Sequence, residues 1–241
     1  MNLLAFDTST DQMSIAVQRG TGDAAQLWQH TAPGGALTSA QLIPEIQRLM
    51  AQAELRFDAL DAIVFGAGPG SFTGLRTACS VAQGLGFGAG VPLLPVDTLL
   101  AVAQDAWLQL GASQCLRVTA LLDARMDEMY VASYCFESEK IISDKHYKLI
   151  SPENLVWNGL DVLAGNVFAA YGDRLNVADA QRVTALPTAV ALLRLAPALL
   201  ALGAAVPAEQ ALPVYIRDKV AQTTQERADA KLAALAQPLP V

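Results

Sequence analysis

The sequence predicts an α/β protein of two similar halves, each a mixed sheet flanked by helices. Three observations carry that expectation. Strand-like and helix-like runs alternate through the first half. A strand–turn–strand signature from the start of the chain returns near its middle. The composition, 53% hydrophobic and 16% charged over 241 residues, is that of a compact protein with enough chain to bury a sizeable core.

The elements follow in order. Leu3 to Phe6 reads as a buried strand, Met13 to Val17 as a second and Ala25 to Thr31 as a third. Pro33, Gly34 and Gly35 make a loop, after which Thr38 or Ser39 is placed to cap a helix running to about Glu54. Its apolar face is Leu42, Ile46, Leu49, Met50 and Ala53. Asp61 to Phe65 is another buried strand, and a glycine-rich turn leads into a helix from about Leu75. A short strand at Val91 to Leu94 and a helix from Asp97 to Leu110 complete the half.

The second half starts over at Arg117. In 3-LLAFDTSTDQMSIAV-17 an apolar strand ends in Asp7, Asp11 follows four residues on, and Met13 two later. In 119-TALLDARMDEMYVAS-133 the same places hold Asp123, Asp127 and Met129. Two such halves suggest the actin-like, ribonuclease H-like architecture, which binds ligands in the cleft between them. The halves are expected at 1–112 and 113–221. The second is degenerate: 140-KIISDKHYKLI-150 reads as one strand, Asp161 to Gly165 as a short buried one, and 188–203 as a helix bent or broken at Pro197. Residues 222–241 have little to bury and are expected to fray.

Charge narrows the function. A net charge of −7 and a pI near 4.8 argue against a broad basic surface for nucleic acid. The most apolar window, 189–206, contains Arg194 and Pro197, which disfavours a membrane span; the start of the chain lacks a secretory pattern, so a cytoplasmic protein is expected. Cys79, Cys115 and Cys135 are widely spaced among apolar residues and read as reduced core thiols. The two histidines, His30 and His146, form no His-x-x-x-His pair, so no metal site is expected.

The turn in 65-FGAGPGSFTGLRTA-78 carries the most information. Leu75, not Lys, follows Gly74, so it is not a Walker A loop; Thr73 occupies the sixth position counted from Gly68, so it is not a dinucleotide fingerprint. Two readings stay open: a tight strand-to-helix corner, or a weak anion or nucleotide site made by Gly68, Gly70, Ser71 and Thr73 with Asp7 at the preceding strand end. Asp123 is a second carboxylate at the matching place, read as a turn cap. The later segment 164-AGNVFAAYGD-173 lacks the glycine pair of an adenine contact. Beyond the turn, Ala78, Ser80, Ala82, Gly84 and Gly86 keep the helix slim, which suits core packing or close approach by a helix of another chain.

Taken together, 5-AFDTSTDQMSIAV-17, 66-GAGPGSFTGLRTACSVAQGLG-86, 122-LDARMDEMYVASY-134 and 213-PVYIRDKVA-221 resemble the bacterial TsaB (YeaZ) family, in collinear order from the first strand to about Ala221. The resemblance implies a protein that helps make threonylcarbamoyladenosine beside the anticodon of tRNAs reading codons that begin with A. In that scheme another enzyme makes threonylcarbamoyl-adenylate from threonine, bicarbonate and ATP. The related metalloprotein TsaD transfers the group, and the small ATPase TsaE joins the pair. TsaB is the partner that lacks TsaD's metal-binding histidines, and here the first long helix reads 38-TSAQLIPEIQRLM-50, with Thr38 where many relatives carry a single His.

The resemblance therefore implies a non-catalytic activating subunit that binds no cofactor tightly, ATP being used by its partners. It would pair with TsaD or a second copy through the helices after the third strand and after the glycine turn, and meet tRNA through the complex. Leu42, Ile46, Leu49, Arg76, Cys79, Ser80 and Gln83 are the expected contacts. A bulky residue at Gly74 or Ser80 is expected to weaken pairing while the monomer stays folded. Two alternatives remain: an actin-like ATP-binding phosphotransferase or ATPase, and, less favoured, a glycoprotease-like peptidase.

Overall fold

The computed structural model describes residues 1–35, 37–111, 115–137, 140–143, 146–177 and 179–217. The expected break at 112 and the tail 222–241 lie outside them.

Two sheets share one strand order. In the first, β1 (Leu3–Asp7) pairs antiparallel with β2 (Gln12–Arg19), which pairs antiparallel with β3 (Gln26–Pro33). On its other side β1 runs parallel to β4 (Ala62–Gly68), and β4 to β5 (Leu93–Asp97), giving the order β3-β2-β1-β4-β5. The second sheet repeats it. Here β6 (Leu116–Arg125) lies between antiparallel β7 (Glu128–Glu137) and parallel β10 (Val162–Gly165), with β11 (Arg182–Thr184) beyond β10. Both β8 (Lys140–Ser143) and β9 (Lys148–Ile150) pair with β7. The single strand expected over 140–150 is thus two.

The helices differ between the halves. Between β3 and β4 runs α1 (Thr38–Gln52), and between β4 and β5 runs α2 (Phe72–Ala89). Their counterparts in the second half are a 3-10 turn at Pro152–Asn154 and the four-residue α4 (Phe168–Tyr171). The last helix of each half, α3 (Thr98–Leu110) and α5 (Ala189–Ala201), is full length.

Those two helices lie between the sheets and exchange partners. Helix α3, from the first half, packs on β6, β7 and β10; α5, from the second, packs on β1, β2 and β4. Their side chains join residues of both sheets, such as Leu3, Val64, Val118 and Tyr134, in one apolar cluster, so the halves share a core. Polar groups fix the crossings. The buried Ser14 hydroxyl accepts from the Ala189 amide at the start of α5 (2.8 Å), and the Asp97 carboxylate caps α3 by accepting from the Leu99 amide (2.9 Å). A second cluster fills the outer face of the first sheet beneath α1 and α2.

Helix α5 runs on through Pro197, so the expected break does not occur; Thr188 caps it by accepting from the Ala191 amide. Neither Thr38 nor Ser39 caps α1: its cap position is Leu37, with no side-chain bond, and Thr38 is already helical. Helix α2 starts at Phe72, three residues earlier than the glycine pattern suggests.

Candidate functional site

The glycine turn is a packed corner. The Ser71 amide donates to the Ser9 carbonyl (2.7 Å), the Thr8 hydroxyl to the Gly74 carbonyl (2.7 Å) and the Val214 amide to the Ala67 carbonyl (2.7 Å). The β1–β2 turn and the C-terminal segment therefore clasp the turn from two sides. A Cβ at Gly74 would stand 1.8 Å from the Thr8 carbonyl oxygen, so glycine is needed there for backbone approach. This corrects the expectation that Gly74 accepts a bulky residue in a folded monomer.

The strand-end aspartates are placed differently. Asp7 is fully enclosed: Oδ1 accepts from the Ser9 amide and hydroxyl (both 2.8 Å), while Oδ2 lies over the Gly66 backbone with no hydrogen-bond partner. Burial pushes its carboxyl up to about 7, against the lowering effect of the Ser9 bonds. Asp7 lines neither of the two clefts beside it. Asp123 lines the cleft between the halves, where its carboxylate accepts from the Tyr171 hydroxyl (2.9 Å) and the Arg125 amide (2.8 Å).

That cleft has a volume of about 240 Å³ and is bordered by Ser9, Gly70, Phe72, Asp123, Arg125 and Tyr215 among others. Its cations are already paired. Arg125 reaches across to Asp11 (2.6 Å), tying the two hairpins together, and this bond holds its guanidinium even more firmly protonated. Arg217 donates to Glu128 (2.6 Å) and to the Ala124 carbonyl (3.2 Å). Arg125, Met126 and Asp127 have φ of 62°, 56° and 58°, three successive left-handed residues at the tip of the β6–β7 hairpin. Ion pairs to Asp11, Glu128 and, through Arg174, Asp127 brace that tip. A second cleft, about 350 Å³, lies where the β1–β2 turn meets the starts of α1 and α2; Ser71 and Thr73 line it, and Gly70 lines the first. Gly68 lines neither; its amide donates to the Thr98 hydroxyl.

The expected contact residues divide sharply. Leu42, Ile46, Leu49 and Cys79 are buried against their own sheet. They are corrected to core residues, because the apolar stripe of an amphipathic helix is the side its own sheet covers. Arg76 and Gln83 are engaged by the C-terminal segment. Arg76 donates to the Tyr215 hydroxyl (3.0 Å) with its guanidinium 3.8 Å from the centre of the Phe72 ring, and Gln83 donates to the Ala211 carbonyl (2.9 Å). Ser80 is exposed on the outer face, and Arg76 is exposed too despite its bond to Tyr215.

The outer face is marked in the sequence pattern at Ser80 and Gly84 but not over the rest. On α2 it runs through Thr73, Thr77, Ser80, Gly84 and Phe87, at alternating steps of four and three, and Phe87 is 83% exposed. On the neighbouring α1, Ala40, Ile43 and Gln47 are exposed at the same spacing. A Cβ at Gly84 or Gly88 meets nothing within 4 Å. Phe87, in helical step with Ser80 and Gly84 on a slim helix, is the sequence signal that points to the rest. Among the described residues no helix is long and apolar enough to cross a membrane.

Comparison with known proteins agrees with this architecture. A family model described as TsaD, tRNA N6-adenosine threonylcarbamoyltransferase, matches residues 30–237. The tRNA threonylcarbamoyladenosine biosynthesis protein TsaB of Escherichia coli is 31% identical over 231 residues, covering 92% of this chain and 96% of that protein. Its namesake from Haemophilus influenzae is 33% identical over 236 residues, covering 91% and 95%. Among solved structures, YeaZ from Pseudomonas aeruginosa is 37% identical with a TM-score of 0.78, covering 89% of this chain and 99% of that one. On the shared strand order of its halves and these full-length matches, the chain is a member of the TsaB (YeaZ) family, with the duplicated actin-like fold.

Proposed function

We propose that this chain is a non-catalytic activating subunit in tRNA threonylcarbamoyladenosine biosynthesis, pairing with a TsaD protein through the outer faces of α1 and α2, with TsaE joining the pair. The observation that carries the proposal is the match to TsaB proteins along nearly their whole length. The geometry supports the division of labour. The first half keeps two long helices with a slim, exposed outer face, and a protruding Phe87 suits a partner helix laid alongside. The chain's two histidines cannot supply a His-x-x-x-His pair, so the reacting metal is assigned to the partner. A net charge of −7 favours tRNA phosphate contacts made by other subunits. A second copy of this chain competes for the same face.

The ATP-dependent reading is weaker. It needs a strand-end carboxylate turned toward a phosphate, and Asp7 instead faces Ser9 and the Gly66 backbone. Reconstitution decides between the two. With TsaD, TsaE, threonylcarbamoyl-adenylate and tRNA present, omitting this chain is expected to abolish modification, and the chain alone to turn over neither ATP nor tRNA. Undiminished modification without it contradicts the proposal.

A further inference from the structure

The three cysteines do not share one environment. Cys79 is buried, as expected, but Cys115 is exposed and Cys135 half-exposed, which corrects the expectation that all are core thiols. The β6–β7 register brings the latter two together. Leu116 pairs with Phe136 and Arg117 with Cys135, so Cys115 stands opposite Glu137 at the open end of the hairpin. Cys135 and Glu137 are two apart on one strand and share a face. Tyr134 and Phe136 point the other way, into the core.

We propose that Cys115, Cys135 and Glu137 form a binding site for a thiophilic divalent cation of the zinc type. The two sulfurs are 3.5 Å apart, Cys135 Sγ is 3.8 Å from Glu137 Oε1, and the three ligand atoms lie within 4.8 Å of one another. A tetrahedral ion with zinc–sulfur bonds of about 2.3 Å places its sulfurs about 3.8 Å apart. A disulfide requires about 2 Å. The observed sulfur spacing is therefore close to what a shared ion needs, and the two paired strands of one hairpin supply it. Two sulfurs and one carboxylate oxygen suit zinc better than magnesium or calcium, which take all-oxygen shells. The fourth position is open to water.

Arg117, the cross-strand partner of Cys135, shares the face, and its Nε donates to Asp161 (3.1 Å). Each thiol gives up its proton as the metal–sulfur bond forms, so uptake releases protons and strengthens with rising pH.

The test uses the full reduced chain without oxygen. Cobalt(II), a spectroscopic stand-in for zinc, is titrated in and then displaced by zinc. The expected result is one equivalent bound, with a thiolate-to-cobalt charge-transfer band that zinc abolishes, and a higher unfolding midpoint with zinc present. Cys135→Ser and Cys115→Ser should each remove the band. Their affinity should fall by more than the roughly 10- to 100-fold that losing an outer partner of a metal ligand costs. Glu137→Gln should weaken zinc while keeping the band, and Cys79→Ala should change neither. Either no charge-transfer band, or a band that survives both serine variants, would overturn the proposal.

Discussion

The two halves of this molecule share a strand order and differ in what surrounds it. In the first, Asp7 is sealed under a glycine turn with one oxygen unpartnered, and two long helices cover the sheet. In the second, Asp123 sits at the edge of a cleft with Tyr171 and Arg125 as partners, and the matching helices shrink to a 3-10 turn and four residues. Duplication kept the element that both cores require, the central hairpin with its parallel neighbours. It freed the layer outside. On the proposed function the surviving pair of helices in the first half is the surface a partner uses; the second half completes the core with α5 and with the strands β6, β7 and β10 on which α3 packs.

Substitutions at four positions break or sharpen that contrast. The largest effect is expected at Gly74. Replacement by Trp drives a side chain into the Thr8 carbonyl and should leave little folded protein; even Gly74→Ala should cost about 3 kcal/mol or more in urea unfolding.

Asp7 comes next, through pH. The unfolded chain ionises this carboxyl from its ordinary value of 3.8, whereas the folded chain holds the proton to about 7. Below pH 4 both states are protonated and Asp7 imposes no penalty. Between about 4 and 7 the unfolded state binds fewer protons, so stability falls as pH rises, then levels off. From pH 5 to 8 the loss due to Asp7 should be about 2 to 3 kcal/mol. Asp7→Asn should flatten that part of the stability–pH profile. An unchanged slope means that the carboxyl is not sealed.

A smaller effect is expected at Arg217, whose guanidinium ties the C-terminal segment to Glu128 and the hairpin tip. Arg217→Ala should cost about 1 to 2 kcal/mol and speed proteolysis after residue 211. The smallest effect on folding, within about 0.5 kcal/mol, is expected at Ser80→Trp, because Ser80 is exposed.

Much of the frame was legible locally. The Asp–Asp–Met spacing at Asp7, Asp11 and Met13 announced the second hairpin at Asp123, and the sparse elements between 140 and 165 announced a degenerate second half. Orientation was not legible in the same way. Leu42, Ile46 and Leu49 form the conspicuous stripe of α1, and a stripe says only that something covers it. Here the chain's own sheet does, at about 1.5 to 3 kcal/mol for each buried side chain. Long-range register was hidden too: twenty residues separate Cys115 from Cys135, and only the pairing of Arg117 with Cys135 brings their sulfurs together. The close approach that requires Gly74 depends on Thr8, sixty-six residues away.

The most direct test of the account is the affinity of Ser80→Trp for TsaD, measured calorimetrically alongside tRNA modification with equal amounts of folded protein. The account predicts a monomer as stable as the parent, pairing weakened at least about tenfold, which is about 1.4 kcal/mol, and modification reduced in step. Unchanged affinity together with full modification would contradict it, and would move the docking surface away from α2.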